Sequence, residues 1–326
     1  MVHALENAES EVILDHDLGT AAALKLKMET STVEIEDVRI ASIRSRALAF
    51  VELTKPRIAF MLVLTSAAAF YVGTKGSFDF VLFANAMIGI TLLAFGVAAL
   101  NQYIERDLDA LMARTAKRPL PLQKIAPVEA LLFGVLQCAV AEVYLLALVN
   151  GLTAALGLLV IVGYVLLYTP LKTRTSASTA IGAIPGAMPP LMGWTAAANE
   201  ITLPAWALFA LLFLWQFPHF FAIACMYREE YKKAGILMLP VVESDGKITA
   251  RQIVMFALML FPVALAPYFL GTAGVIYLVG STILGGWFLA ESISTARAKT
   301  PESSRRLLMV SVIYLPLIFA LLVLDH

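Results

Sequence analysis

The chain has 326 residues, 60% of them hydrophobic, and its 24 basic and 24 acidic side chains leave no formal net charge. A mean hydropathy of +0.81 excludes a soluble two-domain protein and leaves a polytopic membrane protein, with the lipid bilayer as its first partner. Nucleic acid is not an expected partner.

Residues 1–34 carry Glu6, Glu9, Glu11, Asp15, Asp17 and Glu29 among short apolar patches. The pattern is neither a signal peptide nor an Arg-rich transit peptide, which points to a bacterial inner membrane. Residues 1–50 are therefore expected to form a largely disordered cytoplasmic tail, ending in a basic segment (Arg39, Arg44, Arg46) near the bilayer. Residues 51–326 are expected to form one helical membrane domain.

Nine apolar spans follow, at 57–73, 79–101, 126–148, 152–169, 177–197, 202–226, 252–272, 273–291 and 306–324. The seventh and eighth are parted only by a Gly-Thr-Ala-Gly turn at 271–274. With the N-terminus in the cytoplasm and the C-terminus in the periplasm, every one of the 24 Lys and Arg except Lys75 falls in the tail or in loops after even-numbered spans. The fifth span carries Pro185, Pro189 and Pro190 among small residues, a pattern for close packing and a bent cavity wall.

The densest chemistry follows the second span. If its helix runs on past the bilayer, Asn101, Glu105 and Asp109 fall at i, i+4 and i+8 on one face, where their oxygens converge on one hard cation. Mg²⁺ suits such a set, because it binds one or two carboxylates together with a substrate's phosphate oxygens. Asp107 points away from that face. Arg114, Lys117 and Arg118 come next, spaced so that two of them can face the same phosphate groups.

The fourth span exits at Tyr168, Lys172 and Arg174, and the sixth at Arg228, Glu229, Glu230, Lys232 and Lys233. All three polar exits share one membrane face, and the acids after the second and sixth spans hint at two related halves. Basic loops on that face also serve topology alone, a reading open for Lys232, Lys233, Lys247 and Arg251. His219 lies inside the sixth span, where it either satisfies a backbone kink at Pro218 or serves function. Glu142, deep in the third span, is read as a packing or interhelix contact. Cys138 and Cys225 are read as small apolar packing residues.

Together these residues resemble the membrane-embedded, UbiA-type aromatic prenyltransferase superfamily over about residues 50–325. The resemblance rests on four stretches: Asn101-Gln-x-x-Glu105-x-x-x-Asp109-x-x-Met-x-Arg114-Thr-x-x-Arg118-Pro-Leu, Tyr168-Thr-x-x-Lys172-x-Arg174-Thr, Ile181 to Trp194, and Trp215-Gln-x-Pro-His219-Phe running to Pro240. The superfamily's second acidic motif is replaced here by Tyr227 and Tyr231, with Glu229 and Glu230 beside them. That form, with its preceding histidine, is similar to the haem-modifying branch.

The resemblance implies an all-α protein with nine transmembrane helices around a central cavity open toward the cytoplasm. It implies transfer of a farnesyl group from farnesyl diphosphate to a vinyl group of haem b, with addition of water; whether the product passes directly to a haem A synthase stays open. Asn101, Glu105 and Asp109 would hold Mg²⁺, with Glu229 or Glu230 completing a second metal site. Arg114, Lys117, Arg118, Tyr168, Lys172, Arg174, Arg228 and Lys232 would bind the diphosphate. His219 would ligate the haem iron or orient the water. A prenyltransferase for a quinone precursor and an organic-anion transporter are the rival readings.

Overall fold

The computed structural model describes residues 44–326, and every regular element among them is helical. The expected tail lies outside the described residues apart from 44–50. Among the described residues, eight helices are long and apolar enough to cross a membrane: α1 (Pro56–Gly73), α2 (Phe80–Ala110), α3 (Pro127–Leu148), α4 (Gly151–Leu171), α7 (Leu203–Met226), α10 (Lys247–Phe269), α11 (Val275–Ala298) and α12 (Pro301–Leu324). On α3, Leu132, Leu136, Val143 and Leu146 are 63–68% exposed, an apolar surface that suits lipid rather than water. The chain is a multi-pass membrane protein.

The expected single span at 177–197 is instead two short helices, α5 (Ser178–Gly186) and α6 (Met188–Ala198). The proline pattern explains the break. Pro189 and Pro190 have no N–H to return to the carbonyls four residues earlier, so the helix cannot continue across Ala187. Neighbouring side chains serve the broken region: Ser66 Oγ donates to the Pro189 carbonyl at 2.8 Å and Gln216 Nε2 to the Ala183 carbonyl at 3.0 Å. Two further short helices, α8 (Arg228–Lys233) and α9 (Leu239–Val242), follow α7 in the chain.

Several helix ends lie beyond the expected spans. α2 continues to Ala110, α10 begins at Lys247 and α12 at Pro301, so polar residues extend each helix past its apolar run. Within α4, residues Val162–Tyr168 form a π-helix. Its wider turn keeps Tyr164, Tyr168 and Lys172 close to one side of the helix, and such insertions concentrate at functional sites.

Some helix starts are closed by side chains. Asp79 accepts from the Val81 and Leu82 N–H groups at the start of α2, and Asn150 accepts from Thr153 N at the start of α4. Asp325 takes the Tyr277 N–H at 2.7 Å, tying the end of α12 to the start of α11.

Close helix approach rests on glycine. A Cβ on Gly96 would lie 2.6 Å from Cys138 Sγ, and one on Gly134 would lie 2.7 Å from Leu100 Cγ, so α2 and α3 meet through small residues and Cys138 is a packing group. At Gly193 of α6 a Cβ would run into the Ser66 carbonyl of α1, whereas Gly286 has nothing within 4 Å. Gly193→Ala is therefore expected to destabilise the protein by about 1–3 kcal/mol. It should lower the thermal midpoint in detergent while Gly286→Ala leaves it in place; equal shifts would mean that the α1–α6 approach is not a tight constraint.

Candidate active site

The site grows from the extension of α2 beyond its apolar run. One continuous helix carries Asn101, Glu105 and Asp109 one turn apart, and all three are buried, at 1%, 7% and 1% exposure. Buried carboxylates demand partners. Each of the three polar side chains has a basic side chain of its own. Lys172 Nζ stands 2.5 Å from Glu105 Oε1, Arg118 donates to Asp109 Oδ2 at 2.6 Å, and Lys55 donates to Asn101 Oδ1 at 2.6 Å.

The orientation of Asn101 is fixed from behind. Its amide nitrogen donates to Thr169 Oγ1 at 3.2 Å, and Thr169 donates on to the Tyr164 carbonyl, so Oδ1 is the end presented to Lys55. Gln102, one residue on, donates to the Leu53 carbonyl at 2.9 Å and anchors the chain just before Lys55. Burial, then repulsion from Arg118, pushes the Lys55 ammonium down to about 7, although Glu105 pulls the other way. Burial also acts to lower Lys172, but Glu105 and Tyr168 outweigh it and hold that ammonium well above the usual lysine range.

These groups line a cavity of about 110 Å³ together with Arg114, Tyr164, Tyr168, Ser178, Thr179 and Tyr231. Its apolar flank is Met112, Ile236 and Met238. Lys172 sits over the Tyr168 ring at 4.4 Å. The chain after α7 closes one side: Arg114 donates to Tyr231 OH at 3.3 Å, its guanidinium stands 5.2 Å from the Tyr227 ring centre, and Leu237 N donates to the Lys172 carbonyl at 2.7 Å. The two tyrosines that stand where the wider superfamily has acids are thus arginine-holding residues.

Not all residues singled out in the sequence meet here. Asn101, Glu105, Asp109, Arg114, Arg118, Tyr168 and Lys172 share the cavity; Lys117, Arg174, Arg228, Lys232, Glu229, Glu230 and His219 are not among its lining. Glu229 is exposed, and Glu230 accepts from the Arg114 main-chain N–H at 3.2 Å. Arg228 lines a larger cavity of about 360 Å³ with Glu243 and Lys299, and its guanidinium donates to the Glu243 carbonyl. That cavity lacks the ladder of amide and carboxylates, so the smaller one is the better candidate. Nothing in the sequence singles out Lys55 or Tyr164 beyond a lysine set directly before Pro56.

The oxygens of Asn101, Glu105 and Asp109 suit a hard divalent cation, being one amide and two carboxylates facing one space. No group of three His, Cys, Asp or Glu that could hold a metal occurs among the described residues. A cation here would therefore complete its shell with water or with oxygens of a bound substrate.

His219 stands apart on α7. Its ring stacks on Trp215 with centres 4.6 Å apart, and Nδ1 lies 2.8 Å from Ser311 Oγ. Ser311 spends its one hydroxyl proton on the Leu308 carbonyl at 2.6 Å. It must therefore accept from His219 Nδ1–H, which leaves the lone pair on Nε2.

A helical membrane bundle with a cavity that sets an amide and two carboxylates against lysine and arginine is suited to a charged ligand. The chain belongs to the UbiA prenyltransferase family, whose profile matches residues 62–315, and it is a membrane prenyltransferase. A curated relative from Solibacter usitatus, named protoheme IX farnesyltransferase, is 46% identical over 286 residues, covering 85% of this chain and 98% of the relative. Among solved structures, a digeranylgeranylglyceryl phosphate synthase superposes with a TM-score of 0.73 at 16% identity, covering 86% of this chain and 98% of that one. A UbiA homologue from Archaeoglobus fulgidus bound to DMAPP and Mg²⁺ gives a TM-score of 0.59 at 17% identity, covering 84% of this chain and 98% of that one.

The Glu105–Lys172 pair gives a direct test of the site's electrostatics. Lys172→Met strands a buried carboxylate and is expected to cost up to about 3–5 kcal/mol of stability. The double variant Lys172→Met/Glu105→Gln should recover most of that loss in thermal unfolding. Additive losses would mean that the two groups do not support each other.

Proposed function

We propose that the chain transfers a farnesyl group from farnesyl diphosphate to a vinyl group of haem b, with addition of water, releasing diphosphate and giving haem O. The observation that carries this reading is the cavity in which Asn101, Glu105 and Asp109 face Arg118 and Lys172, in a chain whose curated relatives are named protoheme IX farnesyltransferase. Asn101, Glu105 and Asp109 hold Mg²⁺, as a metal accompanies the prenyl diphosphate in the A. fulgidus homologue. Held by these residues, Mg²⁺ would supply positive charge to the oxygens of the leaving diphosphate.

The chain's own cations do the rest. The allylic C1–O bond breaks and its electron pair leaves with the diphosphate. One positive charge about 4 Å from the developing charge, at an effective dielectric near 20, is worth roughly 4 kcal/mol, or about three decades in rate if felt only in the transition state. Arg118 and Lys172 line the cavity for that purpose, and Arg114 is aimed there by Tyr227 and Tyr231. The vinyl π electrons of the haem form the new bond to C1. Water adds to the neighbouring cationic carbon and loses a proton, leaving a hydroxyl.

His219 serves the acceptor side, since it lies outside the diphosphate cavity and keeps Nε2 free for iron or for water. Glu229 contributes no ligand in this arrangement, being exposed and away from the cavity, so a single metal fits the donors better than two. The bundle sits in a bacterial inner membrane with this cavity on the cytoplasmic side, in keeping with the basic loops.

Purified protein in detergent with haem b, farnesyl diphosphate and Mg²⁺ should yield a farnesylated, hydrated porphyrin by mass. Glu105→Gln should reduce it by about three decades, the worth of a lost charge contact in the transition state. Unmodified haem beside a prenylated quinone precursor would move the acceptor, and no diphosphate release with any acceptor would favour transport. Sidedness is read separately: an impermeant maleimide on intact spheroplasts should label Ser77→Cys and spare Lys117→Cys, and the reverse pattern would invert the topology.

A further inference from the structure

Lys55, like Arg114 on Tyr231, is a basic group of the cavity whose partner carries no charge. Arg118 and Lys172 each hold a carboxylate, whereas Lys55 donates to the amide oxygen of Asn101. Its backbone is held at φ 49°, ψ 60°, the left-handed region that a residue with a side chain seldom occupies, directly before Pro56. The Gln102 hydrogen bond to the Leu53 carbonyl anchors that turn, and Gln102 is the neighbour of Asn101 on α2. The fold thus strains its backbone to deliver an ammonium to the oxygen that heads the ligand ladder.

The three pairs act as a set. In this arrangement Asn101 Oδ1, Glu105 Oε1 and Asp109 Oδ2 each already have a basic side chain within 2.6 Å. A metal reaching those oxygens competes for them with Lys55, Lys172 and Arg118. Arriving alone, it would add its charge to a cavity where basic side chains already outnumber the two carboxylates. Arriving with a diphosphate, it brings anionic oxygens that receive the displaced cations at once.

We infer that Lys55 is a diphosphate-binding residue that also gates the metal. It occupies Asn101 Oδ1 while the site is empty and passes to the diphosphate when the metal takes that oxygen, so that metal and diphosphate bind as one event. Lys172 and Arg118 make the same exchange from their carboxylates, but Lys55 releases most readily because an amide holds it less strongly than a carboxylate would. The inference rests on Asn101, Glu105 and Asp109 being the metal ligands, and it requires neither a farnesyl chain nor a haem. By linkage, whatever factor the diphosphate adds to metal affinity, the metal adds to diphosphate affinity.

The test uses the full-length protein in detergent with Mn²⁺ and pyrophosphate as probes. Uptake of Mn²⁺ alone is read from loss of the free-ion EPR signal, and retention of labelled pyrophosphate from equilibrium dialysis with and without Mg²⁺. The wild type should take up Mn²⁺ alone weakly and hold pyrophosphate at least about tenfold more tightly when Mg²⁺ is present, within the usual range of coupling between sites. Lys55→Met should shift the two readings in opposite directions: Mn²⁺ alone binds about tenfold more tightly, and pyrophosphate with Mg²⁺ about tenfold more weakly. Lys55→Arg should behave as the wild type, and Lys55→Gln serves as a second neutral variant if the methionine form does not fold. Strong Mn²⁺ uptake by the wild type without pyrophosphate, or neutral variants that leave Mn²⁺ uptake unchanged or lose it, would overturn the inference. A failed farnesyl transfer to haem would leave these binding results as they are, so the two readings fall separately.

Discussion

Two carboxylates taken out of water at the end of one helix set the terms for the rest of this structure. Glu105 and Asp109 are buried where an unpaired charge would cost several kcal/mol, and α2 supplies no basic side chain of its own on that face. The partners come from elsewhere in the chain: Lys172 from the end of α4, Arg118 from the loop after α2, and Lys55, on Asn101, from the start of α1. Satisfying the two acids and Asn101 therefore gathers three separate segments at one end of the bundle. The same gathering leaves a small space with the oxygens of Asn101, Glu105 and Asp109 on one side and basic side chains on the other, an arrangement suited to an anionic ligand.

Around that constraint the remaining features fall into supporting places. The π-helical stretch of α4 brings Tyr164 and Tyr168 into line with Lys172, and the Tyr168 ring lies beneath the ammonium. The chain after α7 places Tyr227 and Tyr231 against Arg114 and joins its own backbone to Lys172 through Leu237. α5 and α6, broken by the proline pair, let Gly193 meet the backbone of α1. His219 belongs to a different group of side chains, with Trp215 and Ser311, and its tautomer is set by the single proton of Ser311.

Much of this was legible in the sequence because it depends on local periodicity. The four-residue spacing of Asn101, Glu105 and Asp109 predicted a single face, and α2 does run on through all three. The three prolines of the fifth span predicted a bend; the structure has a break at Ala187, just before the Pro189–Pro190 pair. Lys55 was not legible: it lies 46 residues from Asn101, and nothing in a lone lysine before a proline says which helix end it will meet. The basic loops were harder still. Arg114, Lys117 and Arg118 are nearly adjacent in sequence, yet only Arg114 and Arg118 face the cavity, since the turns of an irregular loop and not a helical period decide which side chains turn inward.

The most direct test of the account is a structure of the protein with Mn²⁺ and a farnesyl diphosphate analogue whose bridging oxygen is replaced, with the metal located by its anomalous signal. The account predicts the metal among Asn101, Glu105 and Asp109, with the diphosphate against Arg118 and Lys172. A metal bound elsewhere, for instance beside Glu243 in the larger cavity, or a diphosphate held away from Lys172, would contradict it.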